Sequence, residues 1–128
     1  MPTYEIVAHR GARERWPENT LPGFEEALHI GADAVELDVR LTKDRIPVVY
    51  HYTYLESNTS LTGPIFSYRL EDLRHAVLFR ADGSPGQGCG ISTFEEVLEA
   101  LAGRIGLEID VKGPEPECVD IVAEVLHR

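Results

Sequence analysis

His9 and Arg10 stand side by side at the end of one β-rich run, and Glu36 and Asp38 lie two apart in another. His51 ends a third run, and Asp110 and Lys112 lie two apart in a fourth. Residues two apart on a strand share a face, with roughly 6.5–7 Å between Cα atoms, so Glu36 and Asp38 can converge on one ion. Asp110 can join them at the rim of a common sheet. Carboxylates gathered without a counter-charge repel, and one must then take up a proton. An oxygen-only donor set suits a hard divalent metal, Mg2+ or Ca2+, better than zinc. Two imidazoles beside such an ion are acid-base groups suited to neutral pH. Arg10 and Lys112 can hold an anion, and a phosphate is the simplest anion that also bridges to a hard metal.

These residues need elements to carry them. "YEIVAH" (4–9) reads as a strand, and "NTLPGFEEALHIGA" (19–32) as a helix capped by Asn19 or Thr20, with Pro22 in its first turn and Gly31 near its end. "AVELDVRL" (34–41) alternates strictly and reads as a strand. "TKDR" turns into a third strand, "IPVVYH" (46–51). The stretch from Tyr52 to Gly90 is irregular and turn-rich, with a short helix in "SYRLEDLRHAV". "STFEEVLEALAG" (92–103) predicts a helix opened by a Ser92–Glu95 capping box. "IGLEIDVKG" (105–113) is the fourth strand and "PEPECVDIVAEVLHR" (114–128) a closing helix.

Strand-helix alternation argues for an α/β fold with a parallel sheet. The link between the second and third strands is too short for a crossover helix, so that pair either breaks the βαβ rule or runs through an extended loop. Val35, Leu37, Val39 and Leu41 share one face of their strand, and Glu36, Asp38 and Arg40 the other. In the fourth strand Gly106, Glu108, Asp110 and Lys112 take the polar face. A wet, one-sided antiparallel sheet would alternate in the same way. Here, however, the charged residues come late in each strand, where α/β barrels form their active-site rim.

The formal net charge of −10 leaves no basic stripe for nucleic acid or an anionic membrane. Cys89 and Cys118 form no metal pattern, and two free thiols in a reducing cytoplasmic setting is the expectation. The first residues lack the basic and apolar regions of a secretory signal, and no apolar run is long enough to span or stably anchor in a bilayer.

In order along the chain, "HRG", "ENT", "ELDV", "PVVYH", "ISTFEEVL" and "EIDVKG" resemble the motifs of the glycerophosphodiester phosphodiesterase family. The resemblance runs from about Ile6 to Gly113 and implies a TIM-type (β/α) barrel of the phospholipase C-like phosphodiesterase group. It implies metal-dependent hydrolysis of a glycerophosphodiester to glycerol phosphate and an alcohol, with His9 and His51 catalytic. It further implies Arg10 and Lys112 on the phosphate, Glu36, Asp38 and Asp110 on the metal, and a small-molecule phosphodiester as substrate. The same family has the short second-to-third connection.

Three positions depart from the family pattern. Tyr52 stands where an aspartate usually follows the second histidine, Asp110 replaces a glutamate, and an arginine common near Ser57 is missing. Taken singly, His9 and His51 would read as structural histidines; the carboxylates and the motif order turn that reading. Glu18 reads as a helix-terminus charge, in a position that the family places near the site. His29, His75 and His127 read as surface residues, Glu108 as support, and Trp16 as packing under a loop or lining the rim.

A barrel of this type takes about 250 residues, and 128 residues forming a single domain supply only about four strands, an N-terminal half-barrel. Two accounts stay open: a fragment of a longer protein, or a homodimer in which two copies close the barrel. A non-catalytic half-barrel acting as a binding or assembly module is the alternative to the enzyme. A phospholipase acting on lysolipids is a third reading, but no apolar docking helix is evident.

Overall fold

The structure is a computed structural model that describes residues 4–128. Its strands are β1 (Val7–His9), β2 (Ala34–Leu41), β3 (Pro47–Val49) and β4 (Gly106–Val111). Its helices are α1 (Leu21–His29), the single turn α2 (Leu70–Leu73), α3 (Phe94–Leu101) and α4 (Cys118–Leu126). Strand β2 is the axis of the sheet. β1 pairs with its first half in parallel, β4 runs parallel along its other edge, and β3 pairs with its last residues in antiparallel sense.

The short connection is therefore a hairpin. Thr42 N–H donates to the Ile46 carbonyl at 3.1 Å, and Arg45 takes a left-handed φ of 63° to close the turn. Of the four expected strands, three are parallel, and the run 46–51 supplies the antiparallel one, shortened to Pro47–Val49. β1 is also shorter than its pattern, starting at Val7. Tyr4 and Ile6 have no sheet to bury them and stay exposed, at 82% and 62%.

The apolar face of β2 does what its alternation requires. Val35, Leu37, Val39 and Leu41 are buried under Phe24 and Ala27 of α1, Phe94, Val97 and Leu101 of α3, and Cys118, Val122 and Val125 of α4. Thr20 caps α1, accepting from Gly23 N–H. The cap of α3 is Thr93 with Glu96, one residue later than the Ser92–Glu95 reading. Ser92 is still extended, its carbonyl accepting Val49 N–H at 2.9 Å, so the helix starts only after that sheet contact.

Val48 of β3 and residues after that strand build a second, smaller core. Val48, Tyr50, Leu55, Ile65, Leu73, Ala76, Leu78 and Ile91 are buried together, apart from the cluster under the helices. The turn-rich "ADGSPGQGCG" closes against the loop after β1, where Gly86 lies so near Pro17 that no side chain would fit.

Candidate functional site

The register of the sheet collects the charges. His9 lies beside Glu36, Glu36 beside Glu108, and Asp38 beside Asp110. One carboxylate oxygen each from Glu36, Asp38 and Asp110 lies within 4.8 Å of the others. Asp38 is buried, Glu36 nearly so, and Asp110 about half exposed. Burial, then the charges of Asp38 and Asp110, push the Glu36 carboxyl up to about 7. Glu36 Oε1 and Asp38 Oδ1 are buried without a hydrogen-bond partner. An all-carboxylate set with repelling charges and unused buried oxygens fits a hard dication. Glu108 is exposed and outside this group.

The loop after β1 brings the cation. Arg10 takes a left-handed φ of 61°, and Gly11 follows at 85°. A Cβ on Gly11 would lie 3.1 Å from the Gly23 backbone and from Phe24, so "HRG" needs its glycine. Arg10 N–H donates to the Glu36 carbonyl at 2.9 Å, fixing the loop on β2. Its guanidinium donates to Glu18 at 2.9 Å and lies 3.5 Å from Asp38. Glu18 thus holds Arg10 in place, a larger role than a helix-terminus charge.

Asn19 was visible in the sequence only as one possible cap. It is buried at φ 57°, donates from its amide to Asp38 Oδ2 at 3.1 Å, and accepts Asp38 N–H at 3.3 Å. The signal was two further polar residues, Glu18 and Asn19, ahead of a helix that needs only Thr20 to cap it.

The two imidazoles flank the carboxylates in different settings. His9 is half-exposed, with Nε2 3.6 Å from Glu36 Oε1. His51 is partly buried, and desolvation, then Arg10, lower its pKa. Its Nδ1 is buried without a partner. Arg40 donates to the His51 carbonyl at 2.9 Å and to the Lys112 carbonyl at 3.4 Å, tying the histidine's segment to the end of β4. Tyr52, in place of the usual aspartate, packs edge-on against His51 with ring centroids 4.6 Å apart, lies 5.9 Å from the Arg10 guanidinium, and donates to Glu18 at 3.2 Å. Lys112 sits on Asp110 at 2.9 Å, which holds the ammonium above its ordinary pKa.

The remaining polar residues fall as expected. His29, His75 and His127 are exposed, and Cys89 and Cys118 are buried free thiols. Trp16 stacks near Arg80, its ring 5.9 Å from that guanidinium. No helix among the described residues is long and apolar enough to cross a membrane.

Comparison with known proteins gives one answer. The model of the glycerophosphoryl diester phosphodiesterase family matches residues 9–127. A glycerophosphodiester phosphodiesterase of Bacillus altitudinis is 38% identical over 108 residues, covering 84% of this chain and 44% of that protein. The structure of an Oleispira antarctica phosphodiesterase in complex with the product sn-glycerol-3-phosphate superposes with a TM-score of 0.87 at 30% identity, over 98% of this chain and 52% of that one. A glycerophosphodiester phosphodiesterase from Agrobacterium tumefaciens superposes with a TM-score of 0.82 at 31% identity, over 96% and 54%. The chain spans about half the length of the curated relatives it matches, so its sheet is a half-barrel of the TIM type.

Proposed function

Because the chain belongs to the glycerophosphoryl diester phosphodiesterase family, we propose that it takes part in hydrolysing a glycerophosphodiester to glycerol phosphate and an alcohol. The observation that carries this reading is the meeting of three carboxylates, two histidines and Arg10 at one end of β2. Glu36, Asp38 and Asp110 would hold Mg2+ or Ca2+, which when bound polarises a phosphoryl oxygen. Arg10, oriented by Glu18, binds a phosphate oxygen, and Lys112 shares the charge that develops on it. His51, kept neutral by its surroundings, takes the proton of the attacking hydroxyl, which belongs to water or to the adjacent glycerol; in the second case the product is a cyclic glycerol phosphate, which a water then opens to glycerol phosphate. The phosphorus–oxygen bond to the alcohol then breaks, and His9 gives that oxygen a proton.

In this reading residues 1–128 act as one domain corresponding to the N-terminal half of the barrel, in the cytoplasm, where Cys89 and Cys118 stay reduced. The outer edges of β1 and β4 have no strand partner among the described residues, and a second copy of the chain is one way to supply it. The test is release of glycerol phosphate from glycerophosphocholine with Mg2+ or Ca2+. Turnover is expected, falling at least about 100-fold in His9→Ala and in His51→Ala.

The Lys112–Asp110 ion pair and Tyr52 in the aspartate position favour a second reading, a binding module without catalysis. Undetectable turnover, together with wild-type behaviour of both histidine variants, would select it.

A further inference from the structure

Tyr52 reaches into the site from the smaller core. Its ring packs against Tyr50, with centroids 6.0 Å apart, and edge-on against His51 at 4.6 Å. Tyr50 is itself buried, and its hydroxyl donates to the Leu55 carbonyl at 3.3 Å. Packing against both neighbours therefore places the Tyr52 phenol, which ends on Glu18, 34 residues away in the chain, at 3.2 Å.

Glu18 has two oxygens and divides them. Oε2 accepts from Arg10 Nη1 at 2.9 Å, and Oε1 accepts from the Tyr52 hydroxyl. A carboxylate and a guanidinium left to themselves commonly join by two parallel bonds. Arg104 and Glu25 do so on the surface of this same chain, at 2.9 and 3.1 Å. Arg10 and Glu18 make only one such bond. Both side chains are largely buried, at 13% and 16% exposure, so competing solvent is a poor explanation for the missing second bond. Arg10 Nε is buried 3.5 Å from Asp38. Nη2 makes no hydrogen bond among the described residues and keeps accessible surface.

We propose that Tyr52 is a positioning residue: by occupying Glu18 Oε1 it confines Glu18 to one bond with Arg10 and keeps Nη2 of the guanidinium free for a phosphate oxygen. Without the hydroxyl, Oε1 turns to Arg10 and the pair closes bidentately. The anion must then compete with a carboxylate for the same donors. Tyr52 thus acts on the phosphate through Glu18 and Arg10 and does not touch it. The inference rests on the phosphodiesterase reading for the anion that Arg10 holds.

The test is a calorimetric titration with glycerol phosphate, in chelator, or in Mg2+ where the metal-free protein does not saturate. Tyr52→Phe keeps the ring and loses the hydroxyl, and should weaken binding about tenfold. In a Glu18→Ala background there is no carboxylate to restrain, and Tyr52→Phe should there change the affinity less than about twofold. A tyrosine that served only the packing would give the same result in both backgrounds. Thermal unfolding checks that the variants fold, and Glu18→Gln, whose amide offers Arg10 a single acceptor, serves if Glu18→Ala does not. An unchanged affinity in Tyr52→Phe, or a loss that persists without the Glu18 carboxylate, overturns the proposal. No saturable binding by the parent in either condition overturns it together with the phosphate role of Arg10. Glycerol phosphate release from glycerophosphocholine is assayed separately with Mg2+. Lost turnover with the non-additive binding cycle intact sinks only the hydrolytic reading, and turnover with an additive cycle sinks only this one.

Discussion

Asn19 gives both ends of its amide to Asp38, one to the carboxylate and one to the backbone. Asn19→Gly accepts the same left-handed φ and removes only the amide. Its affinity for a divalent cation should fall about 10–100-fold in a calorimetric titration, and an unchanged affinity would remove Asp38 from the ligand set. Glu36 gives a pH test. Its folded pKa, about 7, lies above the ordinary 4.5, so the folded protein binds this proton more tightly than the unfolded one. The charged form therefore costs stability, fully above about pH 7 and not at all below 4.5. Without metal, Glu36→Gln should melt higher than the parent at pH 8, and the gap should close as pH falls through that window. His51, with a lowered pKa, works in the opposite direction as pH falls and is common to both proteins, so it cancels in the comparison. Saturating Mg2+ or Ca2+ should reverse the order at pH 8. The three carboxylates were readable because strand alternation fixes which residues share a face. The Glu18–Arg10–Tyr52 and Asn19–Asp38 contacts were not, because each depends on where a loop side chain lands, and no period governs a loop.

The elements show where a sequence pattern admits two answers. "STFEE" offers Ser92 with Glu95 and Thr93 with Glu96, and only the sheet contact of Ser92 decides between them. Thr93→Ala should cost about 1 kcal/mol, a fall of a few degrees in melting temperature, whereas Ser92→Ala should cost less. A larger loss at Ser92 would contradict the cap. The helices under β2 followed from their apolar spacing, and β2 from its alternation. β1 and β3 came out shorter than their patterns because a β-rich run becomes strand only as far as a neighbour pairs with it. The sense of β3 was open in the sequence, since a four-residue link excludes a parallel partner without saying what replaces it; the hairpin turn at Thr42–Ile46 answers that.

For the whole molecule, the relation of β2 to its neighbours is the central fact. β2 is paired on both edges and almost wholly buried, whereas β4 has no fully buried residue. Leu107, Ile109 and Val111 reach the core without being sealed in it. Unpaired edges of this kind invite another strand. Light scattering of the purified chain should therefore show a dimer whose population grows with concentration, and a monomer at all concentrations would mean that the edges are protected without a partner.

The separate hydrophobic cluster beyond β3 has an evolutionary consequence. His51 and Tyr52 closely follow β3, whose Val49 belongs to the core under the helices and whose Val48 belongs to the smaller one. Substitutions can accumulate in the smaller core without disturbing the packing beneath the acid cluster.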